Sequence, residues 1–133
     1  GRLETVKAVV TIAAPAGPSY LKRHLVDQLD LIQQQGFATI NIAGRKFTIK
    51  KQFLDDLDHP RHQLAIKNLN RPLLIYHSPS DNIVGIEDAL KIFQAAGHPK
   101  SLISLAGADH LLTRKEDSQY VAETLVAWLG KYL

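Results

Sequence analysis

The sequence contains no cysteine. This absence excludes disulfide bonds, a thiol nucleophile and a thiolate-bound metal. No apolar run approaches the roughly 20 residues that are needed to span a bilayer, and the residues from Gly1 to Glu4 do not lead into an apolar stretch of the signal-peptide kind. The composition therefore agrees with a cytoplasmic protein, and we expect no membrane partner.

Charge of one sign is not concentrated anywhere along the chain. The net charge is +3, and the basic residues form only small clusters that have acidic residues nearby in sequence. Nucleic-acid binding normally needs a concentrated basic face, often with aromatic stacking residues. We therefore expect no nucleic-acid partner. A glycine-rich phosphate loop is also absent, which argues against a small phosphate-binding domain.

The length of 133 residues is enough for one domain with a single core. Residues 6–13 form a β-branched, nearly all-apolar run, which predicts a strand buried on both faces, as in parallel sheets. Residues 14–18 contain two prolines and end this strand. Ser19 is the predicted N-cap of a helix over about 20–35, and Gly36 is its predicted C-terminal stop.

In the middle of the chain the spacing of apolar residues changes from a helical period to a period of two. Residues 37–42 and 46–50 alternate apolar and polar side chains around Gly44. This alternation predicts a β-hairpin with one solvated face. Two short helices are predicted after it, over about 52–57 and 61–69.

The C-terminal half has the clearest pattern. It predicts a strand over 73–77, a helix over about 86–96, a strand over 101–105 and a last helix over about 113–132. The stretch Thr113-Arg114-Lys115-Glu116 matches a capping box at the start of that helix. Alternating strands and helices imply parallel strands with right-handed crossovers, and so an α/β fold.

Each of the last two predicted strands ends in a loop of small residues. The first loop presents Asp81 and the second presents His110. Neighbouring parallel strands lie about 4.8 Å apart, and polar groups that follow them collect at one edge of the sheet. We therefore expect the two side chains to lie within hydrogen-bonding distance. A carboxylate that orients an imidazole supplies the acid and the base of a catalytic group whose third member is a nucleophile.

The stretch from Ile75 to Gly85, followed by Gly107-Ala108-Asp109-His110, resembles the C-terminal half of the α/β-hydrolase fold. In that family a serine, an acid and a histidine follow one another in this chain order. The resemblance implies that Asp81 is the catalytic acid and His110 the catalytic base.

The same resemblance implies an architecture. The chain would be a single partial domain over 1–133, with three parallel strands, flanking helices, and a cap insertion of helix and β-hairpin at about 16–70. Finer motifs are similar to bacterial α/β-hydrolase domains that are often fused to an OsmC-like domain. These motifs are His-Ser-Pro-x-Asp-x-Ile-Val-Gly-Ile, Ile-Ala-Gly-Arg-Lys-Phe and Gly-Ala-Asp-His-Leu-Leu. An OsmC-like domain is therefore a possible partner.

The nucleophile of such a hydrolase is missing from the sequence. No Gly-x-Ser-x-Gly motif is present, and none of the six serines lies in one; they are Ser19, Ser78, Ser80, Ser101, Ser104 and Ser118. We therefore expect the C-terminal half of a serine hydrolase, acting on an ester, thioester or peptide-like acyl substrate, that is inactive alone. The alternative is a non-catalytic structural or oligomerisation module of hydrolase fold.

Four side chains flank the two loops and are candidates for a substrate pocket. They are Pro15, His77, Ile83 and Leu111. For His77, which ends a predicted strand, a buried and hydrogen-bonded histidine is the favoured interpretation over a pocket-shaping one. The hairpin over residues 37–50 is a further candidate for substrate selection or subunit contact, or it is simply a surface excursion.

Two other sets of polar side chains are also candidates for a functional role. Asp109 is a rival acid, but its side chain points away from that of its neighbour His110, so a loop-capping role is favoured. The histidines and aspartates between 55 and 62 lack a recognised metal-ligand spacing with a fourth partner. They predict a solvated polar turn, and we expect neither a metal nor a cofactor.

Truncation would leave the strand over 6–13 without a neighbour on one side. An exposed apolar edge invites edge-to-edge pairing. We therefore predict a homo-oligomer through this edge or through the cap, or else a partner that supplies the missing N-terminal half.

Overall fold

The computed structural model describes residues 4–18, 21–42, 44–57 and 61–133, with side chains for all of these except residues 23, 24 and 42. The chain divides into two units, of which the first consists of Gly1–Ala16 and Arg61–Leu133 and the second of Gly17–Pro60. The elements in chain order are β1 (Val9–Ile12), α1 (Leu21–His24), α2 (Val26–Gln35), β2 (Phe37–Ile42), β3 (Arg45–Lys50), α3 (Lys51–Leu57), α4 (Arg61–Lys67), β4 (Leu73–His77), α5 (Ile86–Ala95), β5 (Lys100–Ser104) and α6 (Lys115–Leu129).

The first unit is built on a parallel sheet with the strand order β1-β4-β5. The central strand, β4, pairs with both neighbours, so that Ile75 lies opposite Thr11 on one side and Leu102 on the other. Every residue of β4 is buried, which is the burial that its nearly all-apolar sequence predicts. The α/β fold class with three parallel strands is therefore confirmed.

Side chains of β4 alternate between two cores on opposite faces of the sheet, as the period of two in a strand requires. Leu73 and Ile75 pack with α5 through Ala89 and Ile92. On the other face, Leu74 and Tyr76 pack with Val121 of α6. The Tyr76 hydroxyl lies 2.7 Å from the Thr124 hydroxyl, so the polar end of this buried ring has a partner. The sheet is thus fixed between helices, and its carboxyl edge is held in place.

The second unit has a core of its own, formed by α2, the β2–β3 hairpin and α3. Its buried side chains are Leu25, Ile32, Ala38, Ile40, Leu54 and Leu57. Gly36 ends α2 in the left-handed region with φ of 85°, and its N–H donates to the Ile32 carbonyl. The antiparallel register places Ala38 opposite Ile49. The predicted hairpin and the predicted stop at Gly36 are confirmed.

Three predicted elements differ most from those observed, and the ends of the others agree within two residues. The helix expected over 20–35 is divided at Leu25, whose φ of −112° and ψ of 10° are not helical; its predicted N-cap, Ser19, lies outside the described residues. The first strand covers Val9–Ile12 and not residues 6–13, and Ala13, with a positive φ of 51°, lies beyond its end. Its residues are half-buried or exposed, so the predicted burial on both faces is wrong, since β4 is its one neighbouring strand in the described part of the chain. The last helix begins at Lys115 after Arg114 and has no side-chain cap.

The capping box predicted at Thr113 is therefore wrong, and the reason is local competition. Asp109 accepts hydrogen bonds from both the N–H and the hydroxyl of Thr113, at 2.8 and 2.7 Å. The threonine hydroxyl that a capping box needs is thus engaged with the preceding loop.

Candidate active site

The loops that leave β4 and β5 bring Asp81 and His110 into contact. The two strands are adjacent and parallel, so both loops leave the same edge of the sheet. His110 Nδ1 lies 2.8 Å from Asp81 Oδ2. The hydrogen bond expected between these two side chains is therefore present.

Asp81 is a buried carboxylate with three N–H donors. Oδ1 accepts the backbone N–H groups of Ile83 and Val84, both at 2.9 Å, and Oδ2 faces His110. Burial raises the pKa of this carboxyl group, but the hydrogen bonds from His110, Val84 and Ile83 together lower the pKa by more, so that it lies below its ordinary value of 3.8. Asp81 is therefore ionised at neutral pH.

The ionised state of Asp81 determines the tautomer of His110. A carboxylate only accepts hydrogen bonds, so the Nδ1 atom of His110 carries the hydrogen in their 2.8 Å contact. In the neutral ring the other nitrogen, Nε2, then holds a free lone pair. The imidazole side chain is 27% exposed, which leaves it accessible to a reacting group. This arrangement is able to accept a proton at Nε2 and to stabilise the resulting imidazolium.

Two buried residues hold the loop over residues 78–85, which carries Asp81 and is called the acid loop below. His77 is the last residue of β4, and its Nε2 lies 2.7 Å from the Val84 carbonyl oxygen. The Ser78 hydroxyl donates to the Ala108 carbonyl, at 2.5 Å, and accepts the N–H of Ser80. Ser78 thus joins the loop that carries Asp81 to the loop that carries His110.

This role of Ser78 was not predictable from the sequence. A serine after a strand, followed by proline, is typical of a turn, and the Ala108 carbonyl is a backbone group with no sequence signature. For His77, the favoured interpretation as a buried, hydrogen-bonded histidine is confirmed, since the residue is 0% exposed. It lies beneath the acid loop and does not present a surface to a substrate.

The remaining pocket candidates lie at or near the carboxyl edge of the sheet. Pro15 follows β1 and is half-buried. Ile83 lies in the acid loop and Leu111 follows His110, and both are exposed, Leu111 by 76%. These two loops therefore present apolar side chains to the surroundings beside the Asp81–His110 pair.

Asp109 has the loop-capping role that was expected. Both of its oxygens bind Thr113, and these hydrogen bonds, the backbone one first, lower the pKa of Asp109. The carboxylate makes no described contact with His110, so it does not compete with Asp81.

Among the described residues, no serine hydroxyl is hydrogen-bonded to His110, and no group of three or more metal-ligating side chains is present. His59 and Asp58, which belong to the polar cluster considered for a metal, lie outside the described residues. In the described part of the chain, no helix is long and apolar enough to cross a bilayer.

The second unit contains a pocket of about 400 Å³. It lies between α1, α2, the hairpin and α3, and it combines apolar walls with a few polar groups. Its lining residues are Leu21, Leu25, Asp27, Gln28, Thr39, Ile40, Asn41, Ile49 and Phe53. The hairpin considered for substrate selection therefore borders a pocket of its own unit.

Solved structures are similar to this chain over nearly its whole length. The esterase domain of a Rhodothermus marinus protein is 45% identical, with a TM-score of 0.69 over 98% of this chain and 53% of its own. The chain has the fold of the C-terminal part of an α/β hydrolase. Mouse α/β-hydrolase domain-containing protein 10 has the same fold at 22% identity, with a TM-score of 0.71 over 96% of this chain and 54% of its own.

A monoacylglycerol lipase from Paleococcus ferrophilus is a third structure with this fold, at 13% identity and a TM-score of 0.63 over 98% of this chain and 61% of its own. The chain thus spans about half the length of the α/β hydrolases that it matches. No family model and no curated protein matches its sequence. Within this hydrolase fold, β4 and β5 are the strands whose loops carry Asp81 and His110.

Proposed function

We propose that this chain supplies the acid and the base of a Ser–His–Asp hydrolase that acts on an ester, thioester or peptide-like acyl substrate. The observation that carries the proposal is the 2.8 Å contact between His110 Nδ1 and Asp81 Oδ2. A similar solved structure is described as an esterase domain. The serine nucleophile would come from a part of the hydrolase domain outside this chain.

In this mechanism His110 Nε2 takes the proton of the serine hydroxyl as the oxygen attacks the acyl carbon. Asp81 holds the imidazole in the Nδ1–H tautomer and stabilises the imidazolium. His110 then returns the proton to the leaving group. The donors that would stabilise the oxyanion also lie in the missing part, so the chain alone should be inactive.

The same proposal implies one partner, the N-terminal half of the hydrolase domain. An OsmC-like domain is proposed as a second partner because the sequence motifs resemble those of hydrolase domains often fused to one. We propose a cytoplasmic location, with which the absence of cysteine from the sequence agrees. The unit Gly17–Pro60 is proposed as the cap, with its pocket of about 400 Å³ selecting the substrate.

A non-catalytic structural module is the second candidate. The sequence of this chain contains no Gly-x-Ser-x-Gly motif, which agrees with both candidates. A hydrolase half-fold kept for assembly would have this property, and it would lack a reactive serine in the full-length protein as well.

The deciding experiment measures p-nitrophenyl ester hydrolysis by this chain and by the full-length protein. We expect activity in the full-length protein only, and a loss of about 10³-fold or more in His110→Ala. His62→Gln, on α4, is the matched histidine control and should keep full activity. A fluorophosphonate probe should label one upstream serine.

Two results would contradict the proposal. Hydrolysis by this chain that survives His110→Ala would assign the activity to something other than the pair. A folded full-length protein without hydrolysis and without labelling would favour the structural module.

A further inference from the structure

We infer that His77 is a positioning residue that holds the Asp81 carboxylate in register with His110. The inference rests on the proposed roles of Asp81 and His110. His77 itself is fully buried, so it acts through Asp81 and does not touch a substrate.

A chain of hydrogen bonds through Val84 connects His77 to Asp81. His77 Nε2 lies 2.7 Å from the Val84 carbonyl oxygen, and a carbonyl oxygen only accepts, so Nε2 carries the hydrogen. The N–H of the same residue, Val84, donates to Asp81 Oδ1. His77 therefore fixes the residue that fixes one oxygen of the carboxylate.

His77 also lies near Oδ2, the other oxygen of the Asp81 carboxylate. His77 Nε2 is 3.8 Å from Asp81 Oδ2, and both side chains are fully buried. The positive end of the Nε2–H bond thus lies near the oxygen that accepts from His110 Nδ1. In a buried site this attraction is less screened than in water, and it favours the orientation in which Oδ2 faces His110.

The Nδ1 atom of His77 shows that packing is not the reason for a histidine at this position. Among the described residues, His77 Nδ1 has no hydrogen-bond partner although it is buried. An unpaired buried polar atom destabilises the fold, and an aliphatic side chain at this position would avoid it. Packing alone therefore does not account for the imidazole, whereas the Nε2–H donor does.

The experiment uses this chain labelled with ¹⁵N-histidine, so it needs no nucleophile and no activity. Nitrogen chemical shifts report the tautomer of His110. His77→Gln is the rescuing variant, because the glutamine amide reaches the position of Nε2 and donates to the Val84 carbonyl. His77→Asn and His77→Leu leave that carbonyl unpaired.

We expect His110 to remain the Nδ1–H tautomer, with a slowly exchanging Nδ1–H, in the unmodified chain and in His77→Gln. In His77→Asn the Nδ1–H signal should broaden or disappear, and the Nε2–H fraction should rise. If His77→Leu fails to fold, the comparison of the asparagine and glutamine variants decides the question.

Identical His110 tautomers in folded His77→Asn, His77→Gln and unmodified chains would overturn the inference. A second readout uses the full-length protein, where we expect His77→Asn to lower kcat by about 10- to 100-fold with little change in KM. If the full-length protein is not a hydrolase, the tautomer measurement still stands, so the two proposals fail separately.

Discussion

Asp81 receives three N–H donors in a buried site. Both the carboxylate and its histidine partner were predictable from sequence, because each lies in a loop of small residues that follows a predicted strand. The supporting contacts of His77 and Ser78 were not, because they depend on backbone carbonyls of other residues. A sequence pattern identifies the side chains at a sheet edge, but the distances between loops decide which of them hold the others in place.

The lowered pKa of Asp81 predicts how stability responds to acid. A carboxyl group with a lower pKa in the folded chain than its ordinary value of 3.8 stabilises the fold fully above that value, and this contribution is lost as the pH falls through the folded pKa. In Asp81→Asn the contribution is absent. The difference in free energy of unfolding between the two chains should therefore shrink from about pH 5 downward.

Urea unfolding at a series of pH values measures this difference. Asp55→Asn removes an exposed carboxylate of α3 and is the matched control, for which a small difference is expected at every pH. A difference between Asp81→Asn and the unmodified chain that stays constant from neutral to acidic pH would contradict the prediction.

Removal of the Ser78 hydroxyl is expected to lower the stability of the fold. Ser78→Ala leaves the buried Ala108 carbonyl without its donor, and an unsatisfied buried group costs about 1–3 kcal/mol of stability. Ser118→Ala removes a similar hydroxyl-to-carbonyl hydrogen bond on an exposed helix face and should cost about 0.5 kcal/mol or less. Equal losses in the two variants, measured by thermal or urea unfolding, would show that Ser78 does not join the loops.

At the scale of elements, the sequence predicted the kind of each helix and strand better than its ends. The strand β4 and the hairpin were found because alternation and burial act over several residues. The start of α6 was predicted wrongly, because the Thr113 hydroxyl donates a hydrogen bond to the Asp109 carboxylate before the helix begins. Helix ends depend on a few competing hydrogen bonds, and a local motif does not reveal which one forms.

The glycine that ends α2 contributes to stability through its backbone conformation. Gly36 has a φ of 85°, a conformation that costs a residue with a side chain about 1–2 kcal/mol. A Cβ added there meets no atom within 4 Å, so the cost comes from the backbone alone. Gly36→Ala should lower the free energy of unfolding by this amount.

Gly97→Ala is the matched control for Gly36→Ala. A Cβ at Gly97 also meets no atom within 4 Å, and its φ is not in the left-handed region. We therefore expect no loss of stability in this variant. Equal stability of both alanine variants in chemical unfolding would contradict the conformational argument.

At the scale of the whole molecule, the β1 edge of the three-stranded sheet is the one that we expect to take part in assembly. In the described part of the chain, β1 pairs with β4 alone. The α/β class was predictable because the order of strands and helices restricts the topology. The identity of the strand that pairs with this edge was not predictable, since the sequence of a strand does not specify its partner.

The free edge of β1 predicts association of this chain. An apolar strand edge with unpaired backbone groups favours pairing with another strand, and Ile12 at the end of β1 is 44% exposed. We expect sedimentation to show a dimer or larger assembly that grows with concentration. Ile12→Lys should weaken it, because a lysine at an edge opposes strand pairing.

Val126→Lys, a change at an exposed position of α6, is the control and should leave the association unchanged. In the proposed full-length hydrolase the same edge would be covered by the N-terminal half, so Ile12→Lys should not alter the size of that protein. A chain that remains monomeric at all concentrations would reject pairing through β1. Association that Ile12→Lys leaves intact and Val126→Lys abolishes would assign the contact to α6 instead.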